Sequence, residues 1–311
     1  MNNEYLNRIQ ASVQYIQDNS SERITLDELA EHSHFSKFHF SRIFTSIIGI
    51  TPIAYVNKVR LHNALSYLIN TDRKILDISQ LCGFESVATF NSAFKKHFNK
   101  TPSEVRGSDR SKNSNNLLIL SNMQEELSIP PKYDEYRRTN TFLRRIWDMN
   151  VSLKELPSYE VAYVRHIGSY LDTHMAWNTL GVWASTHGLT PMSQYFIGIS
   201  LDDPETVNEA ECRYDACVTL PEGFDKSDDS VVQFKTVQGG KYASYQFYDK
   251  VDKLALAYQS LFGNWLPDSG YDVDDRPCLE FVMNDPSQDA EGKCKVDLYI
   301  PIRSRLVEVK G

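Results

Sequence analysis

Apolar residues recur at helical spacing through the first hundred positions. Tyr5, Ile9, Val13 and Ile16 fall on one face of a helix predicted over 3–18. A second helix starts at T-L-D-E-L-A-E-H, where the Thr25 hydroxyl can cap the chain and Glu28, three residues on, completes a capping box. Leu26, Leu29 and Ala30 form its inner face. The turn that follows passes through His34, a residue type that tolerates left-handed backbone, and leads from Ser36 into S-K-F-H-F-S-R-I-F. Pro52 suits the first turn of a long helix that runs to Leu68. The pattern then returns, with Ile75, Ile78, Leu81 and Cys82, a turn at Gly83, and E-S-V-A-T-F-N-S-A-F-K-K-H-F. Phe40, Phe44 and Thr51-Pro52 reappear as Phe90, Phe94 and Thr101-Pro102 at a constant offset of 50. Two helix–turn–helix units joined by a spacer helix are therefore predicted within an all-α domain over 1–107.

The periodicity lapses after that. Residues 107–116, G-S-D-R-S-K-N-S-N-N, read as a flexible boundary, and 108–150 as a linker. Phe142, Ile146 and Trp147 among Arg138, Arg144 and Arg145 fit either a short amphipathic helix or a few anchors on a mobile chain. From 151 to 311 strand and helix signals alternate. A strand around 160–166, a helix over 171–186 and strands near 195–201 and 213–220 are followed by a second set: a strand near 242–247, a helix over 250–266, and strands near 278–283 and 295–302. The order βαββ, twice, predicts a duplicated α+β domain with antiparallel pairing and two helices on one face. The fold class is thus multidomain, all-α followed by α+β.

Charge sharpens the division. The net charge of −8 argues against a nucleic-acid partner for the chain as a whole. Residues 1–150, however, hold 19 Lys and Arg against 16 Asp and Glu, whereas 151–311 hold 14 against 25. Any contact with phosphate should therefore belong to the first half. There is no apolar run of about 18 residues, and the N-terminus lacks a basic segment followed by an apolar core, so a cytoplasmic chain is expected. The five cysteines include no C-x-x-C pair and read as reduced, buried thiols. No metal site, cofactor or catalytic residue is suggested by any spacing.

In a helix–turn–helix the second helix enters the major groove by its N-terminal part. With Phe40, Ile43 and Phe44 turned to the core, Lys37, Phe38, Ser41 and Arg42 remain for DNA. Arg42 can pair with guanine through two hydrogen bonds or simply hold a phosphate. Phe38 can meet a thymine methyl or cover the edge of the core. In the second unit Ser86, Val87, Ala88, Thr89, Asn91 and Ser92 are left for the groove, with Asn91 suited to adenine and Lys95 and Lys96 to phosphates or water.

The acidic half is rich in aromatics, among them Trp177, Trp183 and Trp265. Aromatic walls with a carboxylate among them attract a lipophilic cation. Glu280 interrupts the otherwise apolar strand C-L-E-F-V-M and faces either solvent or a cavity.

Residues 25–106 resemble the DNA-binding domain of AraC/XylS-type transcription regulators, most tellingly in C-G-F-E-S-V-A-T-F-N-S-A-F-K-K-H-F-N-K-T-P-S-E-V-R at 82–106 and K-V-R-L at 58–61. That resemblance implies two second helices in successive major grooves of bent DNA, contact with RNA polymerase, and activation. Ser92 departs from relatives that have a base-reading arginine there, which implies that the second unit mainly anchors. The C-terminal half resembles the GyrI-like small-molecule-binding domain of some multidrug-sensing regulators. The matching pieces are R-H-I-G-S-Y at 165–170, A-W-N-T-L-G-V-W-A at 176–184, R-Y-D-A-C-V at 213–218, V-Q-G-G-K-Y-A at 237–243, P-C-L-E-F-V-M-N at 277–284 and D-L-Y-I-P-I at 297–302. It implies Glu280 as a pocket floor, with Trp177, Tyr195, Phe196 and Tyr299 as wall candidates.

A transcription regulator with a small hydrophobic or cationic effector follows from these readings, able to bind DNA as a monomer and needing no membrane. Two alternatives stand beside it. Glu280 could serve as a general base in a GyrI-like hydrolase, or the second half could be a protein-interaction module.

Overall fold

The computed structural model describes residues 3–107, 150–203, 207–226 and 231–305. The linker reading of 108–150, and with it the reading of Phe142, Ile146 and Trp147, lies outside the described residues apart from Asn150. The chain divides into two compact units. Of the described residues, one holds 3–35 and 47–107; the other holds 36–46, 150–203, 207–226 and 231–305.

Among the described residues up to 107 there are seven helices: α1 (Asn3–Asn19), α2 (Leu26–His32), α3 (Lys37–Ile48), α4 (Pro52–Asn70), α5 (Ile75–Leu81), α6 (Val87–Phe98) and α7 (Pro102–Gly107). The capping box at α2 is present: the Glu28 amide donates to Thr25 Oγ1 at 3.3 Å and the Thr25 amide to Glu28 Oε2 at 2.8 Å. The same device recurs at α7, where the Glu104 amide donates to Thr101 Oγ1 at 3.2 Å. His34 and Gly83 both take positive φ, 54° and 78°, so the two turns are built alike from different residues. Each turn is closed by the same five-residue bond, Phe35 N–H to Ala30 O and Phe84 N–H to Ser79 O. The core of the second unit forms where Leu61, Leu65 and Leu68 of α4 meet Ile78, Phe84, Phe90 and Phe94. Phe90 and Phe94 touch edge to face at 5.5 Å, as their i, i+4 spacing requires.

The second half is one antiparallel sheet with helices on one face. Its strands are β1 (Ser152–Leu156), β2 (Tyr159–Ile167), β3 (Phe196–Ser200), β4 (Arg213–Thr219), β5 (Gln233–Val237), β6 (Gly240–Asp249), β7 (Tyr271–Val273), β8 (Leu279–Val282) and β9 (Cys294–Ser304). Their order is β1-β6-β9-β8-β3-β4-β2-β5, with β7 on β9. The two βαββ sets meet at β3 and β8, where Gly198 pairs with Glu280. Helix α8 (His174–Thr186) belongs to the first set. In the second, α9 (Leu254–Ser260) continues through a π-helical stretch (Leu261–Trp265) into α10 (Leu266–Asp268). Val161 of β2 and Tyr242 of β6 stand near opposite ends of the strand order yet share one apolar cluster, so the sheet curls toward the face away from the helices.

Strands β1, β5 and β7 extend the predicted set. The first two are the sheet's ends, S-L-K-E-L and Q-F-K-T-V, and β7 pairs only with β9. β1 and β5 carry polar residues left to solvent and β7 is only three residues long, so hydrophobic alternation marks all three weakly.

Candidate functional site

Cross-strand register sets the pocket floor. Residues paired directly across antiparallel strands point to the same face. Ala216, Gly198, Glu280 and Leu298 are so paired in sequence across β4, β3, β8 and β9. This is the helix-bearing face, and Glu280 stands in its middle, 7% exposed. Gly198 is needed beside it, because a Cβ there would collide with the Tyr214 hydroxyl and lie 3.2 Å from Glu280 Oε2. Without that Cβ, Tyr214 lies across the strand and its hydroxyl donates to Glu280 Oε2 at 3.5 Å.

Two further hydroxyls converge on the carboxylate. Tyr258 of α9 donates to Oε1 at 2.9 Å, and Ser200 of β3 donates to the same oxygen at 3.4 Å. Burial pushes the Glu280 carboxyl above its ordinary value, while the Tyr258 hydrogen bond and the charge of Arg42 pull the other way. Burial likewise raises the Tyr214 and Tyr258 hydroxyls, with the Glu280 charge adding to it, so both remain hydrogen-bond donors at neutral pH.

The cavity above this floor measures about 1040 Å³ and is lined by Tyr170, Trp177, Tyr195, Phe196, Tyr258 and Phe262, among others. Four of the five residues expected there line it: Glu280, Trp177, Tyr195 and Phe196. Tyr195 reaches the lining only from its edge: it is 53% exposed, and its ring packs against Phe281 at 5.3 Å and Tyr159 at 5.8 Å on the opposite face of the sheet. Tyr299 is placed elsewhere. It pairs with Leu279, the neighbour of Glu280, and therefore points to the opposite face, where it packs against Phe281 at 4.8 Å. Sequence reasoning missed Tyr214, Tyr258 and Ser200. Alternation from Glu280 through a paired strand could have found Tyr214 and Ser200, but strand pairing is not written in the sequence.

Residues 36–46 contribute to the same unit. Arg42, Thr45 and Ser46 of α3 line the cavity with the aromatics. Arg42 Nη2 donates to the Asp202 carbonyl at 3.2 Å, and its guanidinium lies 5.3 Å from the Tyr258 ring centre. His39 Nε2 donates to the Arg276 carbonyl at 3.1 Å, and its ring stacks on Phe262 at 5.6 Å. Ser41 is buried, as are Phe40, Ile43 and Phe44. The side chains of Lys37 and Phe38 lie outside the described residues.

Helix α6 presents its candidates to solvent. Ser86 caps the helix, accepting from the Thr89 amide at 3.1 Å. Ala88, Thr89, Asn91, Ser92, Lys95 and Lys96 are exposed, and Val87 is half-buried. The exposed face is polar and basic, as contact with a phosphate-lined groove requires.

All five cysteines are buried and unpaired. Among the described residues, no cluster of three His, Cys, Asp or Glu could hold a metal, and no helix is long and apolar enough to cross a membrane.

Comparison with known proteins agrees with both halves. The family described as "GyrI-like small molecule binding domain" matches residues 149–303, and a "Helix-turn-helix domain" family matches 29–108. The "Probable transcription factor PqrA" of Proteus vulgaris is 46% identical over 86 residues, 28% of this chain and 70% of that protein. The "Bifunctional transcriptional activator/DNA repair enzyme AdaA" of Bacillus subtilis (strain 168) is 40% identical over 93 residues, 30% of this chain; the chain spans only 44% of that relative's length. An AraC-type transcriptional regulator structure from Chromobacterium violaceum is 30% identical, with a TM-score of 0.33, over 34% of this chain and 95% of that one. The chain belongs to the AraC-type helix–turn–helix transcription regulators, DNA-binding proteins, and carries a GyrI-like domain behind its helix–turn–helix region.

Proposed function

We propose that this regulator senses a hydrophobic organic cation, bound over Glu280, and adjusts transcription through its two helix–turn–helix units. One observation carries the reading: a buried carboxylate at the floor of an aromatic cavity of about 1040 Å³. The volume suits a drug-sized ligand. A cation in the cavity restores the charge balance that burial takes from Glu280, and ring faces add cation–π attraction of about 0.5–2 kcal/mol each. The three hydroxyls on Glu280 hold it in place and compete for the lone pairs a general base would use, which favours a binding site over a hydrolytic one.

For DNA, Arg42 and Asn91 are the base-reading candidates, Lys95 and Lys96 phosphate anchors, and Ser86 to Ser92 the groove face of the second unit. In this reading 1–107 is the DNA-binding domain, 108–150 a linker and 151–311 the effector domain, with 36–46 of the first packed into the compact unit of the last. Activation through RNA polymerase is the regulatory outcome in keeping with this arrangement. The test is a thermal-shift and calorimetric screen of aromatic cations, each set beside a neutral isostere. Stabilisation by the cations alone supports the reading, and equal response to both members of a pair contradicts it.

A further inference from the structure

The cavity already contains a cation of the chain's own. The Arg42 guanidinium lies against the face of Tyr258, whose hydroxyl holds Glu280. Arg42 also donates to the Asp202 carbonyl, beside Tyr170, which donates to the same carbonyl at 2.9 Å. The side chain thus occupies the place where a ligand cation would meet an aromatic face and a carboxylate together. Resting on the pocket reading above, we propose that Arg42 is the resident cation of the cavity, and that a flat organic cation acts by replacing it and freeing the Ser36–Ser46 helix segment for DNA.

Three observations support replacement. First, the polar contacts of the segment are ones that a ligand or the pocket rim can exchange. Arg42 donates to the Asp202 carbonyl and bears on the Cys278 thiol, and His39 donates to the Arg276 carbonyl. Second, the buried face of the segment is poorly satisfied. Ser41 Oγ and Thr45 Oγ1 are buried with no hydrogen-bond partner among the described residues. A buried hydroxyl left unpaired costs about 1–3 kcal/mol. Such a face suits a polar partner better than the one it has, and the major groove is lined with donors and acceptors. Third, the contact is close enough to be wedged apart. A Cβ at Gly263 would lie 2.9 Å from Ser46 Cβ, so the helix segment and the π-helical stretch meet at a glycine.

The chemistry selects the ligand class. Removing Arg42 leaves Glu280 without its nearby charge, so a neutral molecule cannot substitute at equal cost. A planar, delocalised cation reproduces the guanidinium's place on the Tyr258 ring face and its positive charge near Glu280. Arg42 cannot be in the cavity and at a base at once. Cation binding and DNA binding by this segment therefore support each other, and linkage makes the effect reciprocal. A ligand shifts the equilibrium only by its differential affinity for the two states, and competition with Arg42 supplies that difference.

Hydrogen exchange on the full chain tests this, read by mass spectrometry at peptides covering 36–46. The probe is 2-naphthamidinium, with 2-naphthamide as the neutral control and calorimetry to establish occupancy. The expected result is at least tenfold faster exchange in 36–46 when the amidinium is bound, with no change from the amide. Gly263→Leu should give the same acceleration without any ligand, while exchange in β3 and β4 stays as in the wild type. Arg42→Ala and Arg42→Met should each bind the amidinium at least fivefold more tightly, because the competitor is gone. If the amidinium binds but exchange in 36–46 is unchanged or slower, or if the Arg42 variants bind it more weakly, replacement is wrong and the pocket reading survives. If neither wild type nor the Arg42 variants bind any cation, the pocket reading falls and this proposal with it.

Discussion

Tyr258 donates its hydroxyl hydrogen to Glu280 Oε1 across 2.9 Å, and the same ring lies under the guanidinium of Arg42. One side chain thus links the buried acid to a cation that does not touch it directly. Tyr258→Phe keeps the ring and removes the hydroxyl. The Glu280 carboxyl should then titrate still higher, and cation affinity at neutral pH should fall by roughly tenfold, about 1.5 kcal/mol, the lower end for a lost hydrogen bond to a charged group. Calorimetry across pH checks both effects. An unchanged profile would mean that the hydroxyl does not hold the carboxylate.

Proton release should accompany cation binding. Glu280 titrates above its ordinary value because it is buried, and a bound cation favours its ionised form. Affinity for the cation is therefore full above the raised pKa and declines as pH falls through it. Buffers of different ionisation enthalpy report the proton directly. A pH-independent affinity in the wild type would count against Glu280 as the charged partner.

Asp215 anchors the opposite face of the sheet. It is fully buried, Arg165 donates to it at 2.7 and 2.9 Å, and Lys235 donates at 2.6 Å. Burial disfavours the charge, but the hydrogen bonds from Arg165 and Lys235 prevail and the carboxyl lies below its ordinary value. Its stabilising effect is present above the unfolded pKa and is lost as pH falls through the folded one. Asp215→Asn should cost about 3 kcal/mol in urea melts at pH 7, the lower end for a broken buried pair because Arg165 and Lys235 are partly exposed. The difference from wild type should shrink in acid. A cost below 0.5 kcal/mol, roughly that of a surface change, would refute this role.

His39 should make the second compact unit acid-sensitive. Burial and then the Arg42 charge lower its imidazole to about 4, against the support of the Arg276 carbonyl, Asp274 and Asp275. The folded state prefers the neutral ring, so stability is full above the unfolded pKa and declines as pH falls from about 6.5 toward 4, by up to about 3 kcal/mol. His39→Gln should flatten that decline in exchange at 36–46. A variant as acid-sensitive as wild type would place the effect elsewhere.

At DNA, Arg42→Ala should relax base preference at one position group of a randomised operator library. Lys95→Gln combined with Lys96→Gln should instead weaken all sequences alike and reduce the salt slope by about 2. Loss of base preference from the lysine pair would reverse the assigned roles.

The helical third was the most legible part of the chain. Phe90 and Phe94 fall where their spacing put them, and the Thr25–Glu28 box forms as written. Local pattern decides those features, so a sequence carries them. Glu280 was recognisable as an anomaly in an apolar strand, but whether it faced a cavity depended on α9 lying over β8. Tyr299 shows the limit: one residue of register moves a side chain to the other face, and only the pairing with Leu279 fixes it. The position of Arg42 was not legible at all. Its spacing on α3 suits a groove, and only tertiary contact brings it to Tyr258.

The central claim is that a buried carboxylate selects a hydrophobic cation. Calorimetry of 2-naphthamidinium and 2-naphthamide with wild type and Glu280→Gln tests it most directly. The substitution should weaken the amidinium at least tenfold and leave the amide within twofold. Equal losses for both ligands, or none for either, would contradict it.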